Sequence, residues 1–236
     1  MALVLDIETI GENFDNMDKA THHVLTRYLK KTSKTESDYN LAIDDLKNNL
    51  GFSPLTGEIV AIGVIDSETE QGAVYYQSPD VKTKDFEENG IQYKTMSEKE
   101  MLEKFWILAR KYNEFVTFNG KKFDIPFLMI RSAINRVKPN KNLMSNRYLF
   151  SQKFDCKHID LYDELTFYGA ANIRGANLHM FSRAFKIESP KVQGVAGDDV
   201  AGLFKEKKYL DIAKYNALDI KATNKLFKKW EEYFRF

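Results

Sequence analysis

Cysteine is almost absent. Cys156 stands alone among 236 residues, which excludes an internal disulfide framework and a cysteine-built metal site and leaves its thiol a spectator. Neither sign of charge dominates: 35 basic residues meet 34 acidic ones, so no global field draws the chain to a polyanion or a membrane, and any polyanion site must be local. No apolar run approaches the roughly 20 residues needed to cross a bilayer, and no basic-then-apolar leader precedes Asp6. A soluble, unexported, cytoplasmic protein is the expectation. No internal repeat or low-complexity linker divides the chain, and 43% hydrophobic content suffices for a sizeable core, so a single domain over 1–236 is expected.

What the sequence does hold is a run of strand-like segments, at 3–9 (LVLDIET), 58–66 (EIVAIGVID), 73–78 (AVYYQS), 115–120 (FVTFNG) and 154–161 (FDCKHIDL). Ser97 and Glu100 make a capping box before MLEKFWILARKY, whose Met101, Phe105, Trp106 and Leu108 repeat at helical spacing. A second helix is predicted after Asp124, with Pro126 in its first turn, and a long third one over 209–234. Residues 12–50 are polar and helix-compatible and read as a helical or mobile insertion. Three strands able to pair as an antiparallel meander, then helix, strand, helix, strand and helices, predict an α/β fold with a mixed five-stranded sheet flanked by helices.

Three sets of carboxylates carry chemistry. Asp6 and Glu8 are two apart on a strand, so the pleat turns both to one face. Two ionised groups so placed raise each other's pKa unless a cation neutralises them; the alternative is a strand end open to water. Asp124 follows the strand ending in FNG and either caps the next helix or faces Asp6 across the crevice at the strand ends. Tyr215 and Asp219 are four apart on a helix and share a face, with an ordinary solvated aspartate as the alternative.

In this order, LVLDIETIG with Asp6-x-Glu8, NGKKFDIP with Asn119-x-x-x-Phe123-Asp124-x-Pro126, and YNALD with Tyr215-x-x-x-Asp219 resemble the three exonuclease motifs of the DEDD superfamily. The likeness is strongest to the proofreading domain of family-B DNA polymerases, and the second motif is the most specific. The resemblance runs from Asp6 to Asp219 and implies a ribonuclease H-like fold and a 3′-5′ exonuclease using two divalent cations, Mg²⁺ or Mn²⁺. Carried over residue by residue, it makes Asp6, Glu8, Asp124 and Asp219 the metal-binding carboxylates and gives Tyr215 the task of orienting the attacking water. The histidine subclass places its base five residues before the last aspartate, where this chain has Lys214, so the tyrosine subclass is implied.

Thr9 and Asn119 are the implied contacts to the terminal nucleotide, while Phe118 and Phe123 either stack on bases or pack in the core. Lys121, Lys122, the RYLKK run and the KEKK run at 205–208 supply backbone contacts or are solvated clusters. His22, His23, His158 and His179 fall outside the motifs and take structural or surface roles; Asp160 reads as support for a buried strand end. Family-B polymerases continue beyond this domain whereas the sequence stops 17 residues after Asp219, so a freestanding nuclease is expected, without a carried-over proofreading role. Its expected substrate is single-stranded DNA. RNA trimming and a catalytically silent nucleic-acid-binding module are the alternatives, and oligomeric state and protein partners stay open.

Overall fold

This computed structural model describes residues 1–188 and 199–235. The aliphatic N-terminal run forms β1 (Ala2–Gly11), whose alternation feeds two cores at once. Leu3, Leu5 and Ile7 enter one apolar cluster, Ala2 and Val4 the other. Asp6 and Glu8 prolong the second row. β1 pairs antiparallel with β2 (Gly57–Asp66), and β2 antiparallel with β3 (Gly72–Tyr76), giving the expected meander.

The sheet has seven strands, not five. β4 (Phe86–Glu88) and β5 (Ile91–Thr95) form a hairpin across Asn89 and Gly90, whose φ values of 52° and 77° suit the tight turn. β5 lies parallel to β3. On the other side of β1, β6 (Glu114–Thr117) and β7 (Lys157–Asp160) add in parallel, so the order is β4-β5-β3-β2-β1-β6-β7. The runs at 115–120 and 154–161 are each cut to four strand residues: 118–120 turns away, and Leu161 already begins α5 (Leu161–Leu165).

Residues 12–50 hold two helices, α1 (Lys19–Thr32) and α2 (Glu36–Asn49). Asp18 caps the first, and a Thr35–Asp38 capping box starts the second. Neither buries a residue. Their ends return to one place, since Glu12 N–H donates to the Thr56 carbonyl at 2.8 Å, and β1 and β2 therefore pair across the excursion.

One face of the sheet is covered by α3 (Glu98–Ala109), started by the Ser97–Glu100 capping box, and by α4 (Asp124–Ile134). Phe105, Met101, Phe127 and Leu128 pack there against Leu3 and Leu5, each worth about 1.5–3 kcal/mol of burial. Arg131 clamps the two helices through a two-pronged bond to Glu98 (2.7 and 2.8 Å), whose Oε1 also accepts Ile59 N–H. The other face receives α8 (Tyr209–Tyr233), with Ala213, Ala217, Ile220 and Phe227 against Val4 and Val60. The short α6 (Leu178–Ala184) and α7 (Val200–Lys205) lie between β7 and α8 in sequence. Among the described residues, no helix is long and apolar enough to cross a membrane.

Candidate active site

Asp6 and Glu8 occupy positions that would be apolar if β1 were only a core strand. Their row faces α8, the helix that carries Asp219. Ligand oxygens of Asp6, Glu8 and Asp219 all lie within 4.8 Å of one another, with Glu8 and Asp219 buried. What lets α8 come so close is Gly63, opposite Asp6 on β2: a Cβ there would sit 2.0 Å from Asn216 Oδ1. Asn216, one residue beyond Tyr215, is fully buried and donates Nδ2–H to Asp6 Oδ2 at 2.8 Å.

Asp124 reaches the same place from the opposite face. It is the first residue of α4 rather than its cap, which is Phe123. Its Oδ1 accepts the Ile7 N–H at 3.1 Å, between the two β1 carboxylates. A register shift in the β1–β2 pairing between Glu8 and Thr9 interrupts the ladder just there, before it resumes to Gly11.

Burial raises the pKa of Asp6 well above the usual carboxylate range, and the charges of Asp124, Asp219 and Glu8 raise it further, opposed by the Asn216 hydrogen bond. Glu8 is raised by burial and then by Asp219 and Asp124. Burial carries Asp124 to about 7 despite its backbone hydrogen bonds. Burial first, then the charges of Asp219, Glu8 and Asp6, keeps the Tyr215 phenol protonated far into the alkaline range. The site is thus a dense acidic cluster beside a neutral phenol. Oxygen donors of like charge in this arrangement fit hard divalent cations, and no lysine or arginine is ion-paired to Asp6, Glu8 or Asp124 among the described residues.

The turn after β6 delivers the middle motif. Asn119 adopts φ 63°, and Gly120 follows because a Cβ there would meet the Thr117 side chain at 2.3 Å. Asp160 holds the turn by accepting Asn119 N–H (2.7 Å) and Lys121 N–H (2.9 Å), a supporting position. His158, beneath it, is buried: Nδ1 donates to the Leu143 carbonyl at 3.1 Å, so Nε2 accepts from the Thr117 hydroxyl at 2.8 Å. Burial and the nearby Lys121 lower its pKa to about 3, which makes it a neutral structural residue.

Two cavities flank the carboxylates. One, of about 280 Å³, is lined by Asp6, Asp219, Tyr215, Phe118, Asn119 and Tyr162, and also by His179. The other, of about 690 Å³, is lined by Glu8, Thr9, Phe52 and Phe123, with Asp45 and Asn49 of α2 and Lys205 of α7. The Thr9 hydroxyl donates to the Gly51 carbonyl at 2.7 Å, and Phe52 meets Phe123 edge-on at 6.2 Å. Phe118 packs against Phe181 and Tyr162 while lining the smaller cavity.

Sequence reading missed Asn216, Tyr162 and Phe52, and gave His179 only a structural or surface role although it borders a cavity. Asn216 had a signal, standing inside YNALD; Phe52 had none. Of the basic runs, Lys207 and Lys208 are ion-paired to Asp80 and Glu206. Lys214, at the position where the histidine subclass places its base, pairs instead with Glu88 of β4 at 3.2 Å.

A mixed α/β sheet of seven strands, flanked by helices and carrying an acidic cluster between the inner strand β1 and α8, has the ribonuclease H-like architecture. The chain belongs to the family described as predicted 3′-5′ exonucleases related to the exonuclease domain of PolB, whose model matches residues 57–234. That span takes in Asp124, Tyr215 and Asp219 but begins after Asp6 and Glu8. No curated protein matches the chain. Among solved structures it resembles the family B DNA polymerase from the hyperthermophilic archaeon Pyrobaculum calidifontis, with a TM-score of 0.61 and 14% identity, over 98% of this chain and 24% of the polymerase chain. The present chain thus spans about a quarter of that polymerase, and at this identity the likeness shows the fold alone.

Proposed function

We propose that this chain is a metal-dependent 3′-5′ exonuclease, a single domain acting in the cytoplasm on single-stranded DNA and releasing nucleoside 5′-monophosphates. The observation that carries this reading is the convergence of Asp6, Glu8 and Asp219 from two elements far apart in sequence onto one point, with Asp124 fixed beside them through Ile7 N–H. Family membership supports the reaction class.

Asp6, Glu8, Asp124 and Asp219 would hold two divalent cations, Mg²⁺ or Mn²⁺. When bound, such a pair lowers the pKa of water and neutralises the phosphate and the leaving oxygen. The residues themselves do the positioning. Tyr215, whose burial keeps its phenol protonated, orients the attacking water by hydrogen bonding rather than acting as a base. Water oxygen bonds to phosphorus, the P–O3′ bond breaks, and the 3′-oxygen leaves with a proton, shortening the strand by one nucleotide. Thr9 and Asn119 meet the terminal nucleotide, and Phe118 and Phe123 stack against bases at the 3′ end. The engagement of Lys214 with Glu88 supports assignment to the tyrosine subclass.

The test is a degradation assay on 3′- and 5′-labelled DNA and RNA oligomers, single- and double-stranded, in Mg²⁺ or Mn²⁺ with EDTA as control. Single-stranded DNA should shorten from its 3′ end, and Asp6→Ala should abolish cleavage while leaving the fold intact. Release of 5′-terminal nucleotides first, or full activity in Asp6→Ala, refutes the reading; faster loss of RNA than DNA would reassign the substrate.

A further inference from the structure

The smaller cavity has room for little more than the end of a strand, and the chain's overall charge offers nothing to hold the rest. One segment departs from that neutrality. From just after α4 to the first residue of β7, residues 136–157 contain six basic residues (Arg136, Lys138, Lys141, Arg147, Lys153 and Lys157) and one acidic residue, Asp155, in a chain whose total is +1. The remainder of the protein is therefore net acidic. Of the six, only Arg147 forms an ion pair among the described residues, with Asp163 at 2.8 Å.

The same segment exposes its aromatic rings. Phe150 is 86% exposed, Phe154 80% and Tyr148 46%, the two phenylalanines more exposed than any other aromatic side chain among the described residues. Tyr148 lies beside Phe150 and Tyr168, with ring centroids 5.9 and 4.9 Å apart, and Lys157 stands 5.5 Å from the Phe154 ring. These rings are held in place: the Gln152 amide donates to the carbonyls of Asn146 (2.9 Å) and His158 (3.0 Å), and Lys141 Nζ donates to the Asp155 carbonyl at 2.8 Å. Exposed apolar rings on a fixed frame mark an interaction surface. Rings interleaved with unpaired cations match the two faces of an unpaired polynucleotide, its bases and its phosphates.

The middle of the segment, at residues 144–147, adjoins the site. Lys122 stands 5.1 Å from the ring of Tyr162, which lines the smaller cavity. Lys121, Lys122 and Arg147 share an adjoining cleft of about 230 Å³ with Met144, Asn146 and Asp163, the last ion-paired to both Lys121 and Arg147, and Lys121 Nζ donates to the Arg147 carbonyl. Resting on the nuclease reading above, we propose that residues 136–157 form the track for the single-stranded DNA behind the 3′-terminal nucleotide, with Phe150 and Phe154 as stacking platforms and Lys138 and Lys153 as phosphate contacts.

The test compares a DNA trimer with a 20-mer in Mn²⁺. Phe150→Ala/Phe154→Ala should raise KM for the 20-mer on the order of tenfold or more for each lost stack, leave kcat nearly unchanged, and leave the trimer's kinetics untouched. Lys138→Ala/Lys153→Ala should flatten the salt dependence of KM by about two phosphate contacts. If both variants degrade the 20-mer as the wild type does, the track is refuted while the nuclease reading stands. If the wild type cleaves neither substrate, that reading falls, and fluorescence anisotropy of a labelled 20-mer in EDTA still decides the track: equal affinity of wild type and the double phenylalanine variant overturns it. A change in oligomeric state in that variant with unchanged strand binding would instead make the face a contact between copies, and the proposal would fail.

Discussion

Asn216 donates to Asp6 Oδ2 across 2.8 Å while its own Oδ1 lies buried without a hydrogen-bond partner among the described residues, in the space left by the missing side chain of Gly63. An orphaned buried acceptor costs about 1–3 kcal/mol, so this arrangement is not optimised for stability. It fixes the orientation of the most central carboxylate. Asn216→Ala should therefore lower activity by roughly 10- to 100-fold, the usual effect of removing a partner that orients a metal ligand, with little loss of stability. Gly63→Ala should do the same indirectly, because its Cβ would meet Asn216 Oδ1 at 2.0 Å. The double variant should be no worse than the sum of the two and should fall short of it, since both act through one contact. Additive losses in kcat would show that Gly63 acts otherwise.

A cluster of like charges also predicts how stability depends on pH and cations. The folded-state pKa values of Asp6, Glu8 and Asp124 lie above their ordinary values. Such groups add stability below the unfolded pKa, near 4, and that contribution is lost as pH rises through the folded value, about 7 for Asp124. In EDTA, Tm should fall between pH 6 and pH 8, and Mg²⁺ or Mn²⁺ should reverse most of that fall by neutralising the cluster. Asp124→Asn keeps an acceptor for Ile7 N–H and should raise Tm in EDTA at pH 8 by roughly 5 °C, at the expense of the cation's effect. A cation shift of equal size at both pH values would contradict this account.

How far the sequence revealed the molecule depends on whether the signal was local. β1, β2, β3 and the capping box at Ser97 were legible because alternation and capping are properties of neighbours along the chain. The β4–β5 hairpin was passed over: β4 is only three residues long and exposes both glutamates, although Asn89-Gly90 is a strong turn dipeptide that could have revealed it. The four carboxylates and Tyr215 could be named from motif spacing. Asn216 could not be given its partner, since its role depends on a glycine 153 positions earlier in the chain. Most of the aromatic segment at 136–157 gave no periodic signal, and its end, Phe154 included, read as part of a strand, so only the exposure of its rings in three dimensions distinguishes it from core-forming sequence.

His158 provides a pH test away from the carboxylates. Its pKa in the folded protein is lowered to about 3, below the ordinary value of 6.5. With both states neutral above 6.5 it contributes nothing to the pH dependence; as pH falls below 6.5 the unfolded chain takes up a proton that the folded one refuses, and stability is lost. His158→Gln should be destabilised at pH 7.5 through its lost hydrogen bonds, and its deficit relative to wild type should shrink by up to ~1.4 kcal/mol per pH unit below 6.5. The His158 ring proton resonance should stay fixed between pH 8 and pH 5. A resonance that titrates near 6.5 would rule out the buried neutral ring.

Tyr215 separates positioning from proton transfer. Its phenol is 7% exposed, one helical turn from Asp219 and beside the cavity that Asp6 and Asp219 line. Because burial holds the phenol protonated, it serves as a hydrogen-bonding group and not as a phenolate that accepts a proton. Tyr215→Phe keeps the ring, so α8 should pack as before and Mn²⁺ should still raise Tm. The turnover rate should fall by roughly 10²-fold, the order expected when a reacting group loses its positioning, with KM for the trimer little changed. The decisive measurement is the alkaline limb of the rate profile. If Tyr215 were a base, its loss would remove an alkaline-side ionisation from the wild-type profile; if it orients the water, wild type and Tyr215→Phe should give parallel profiles displaced only in height.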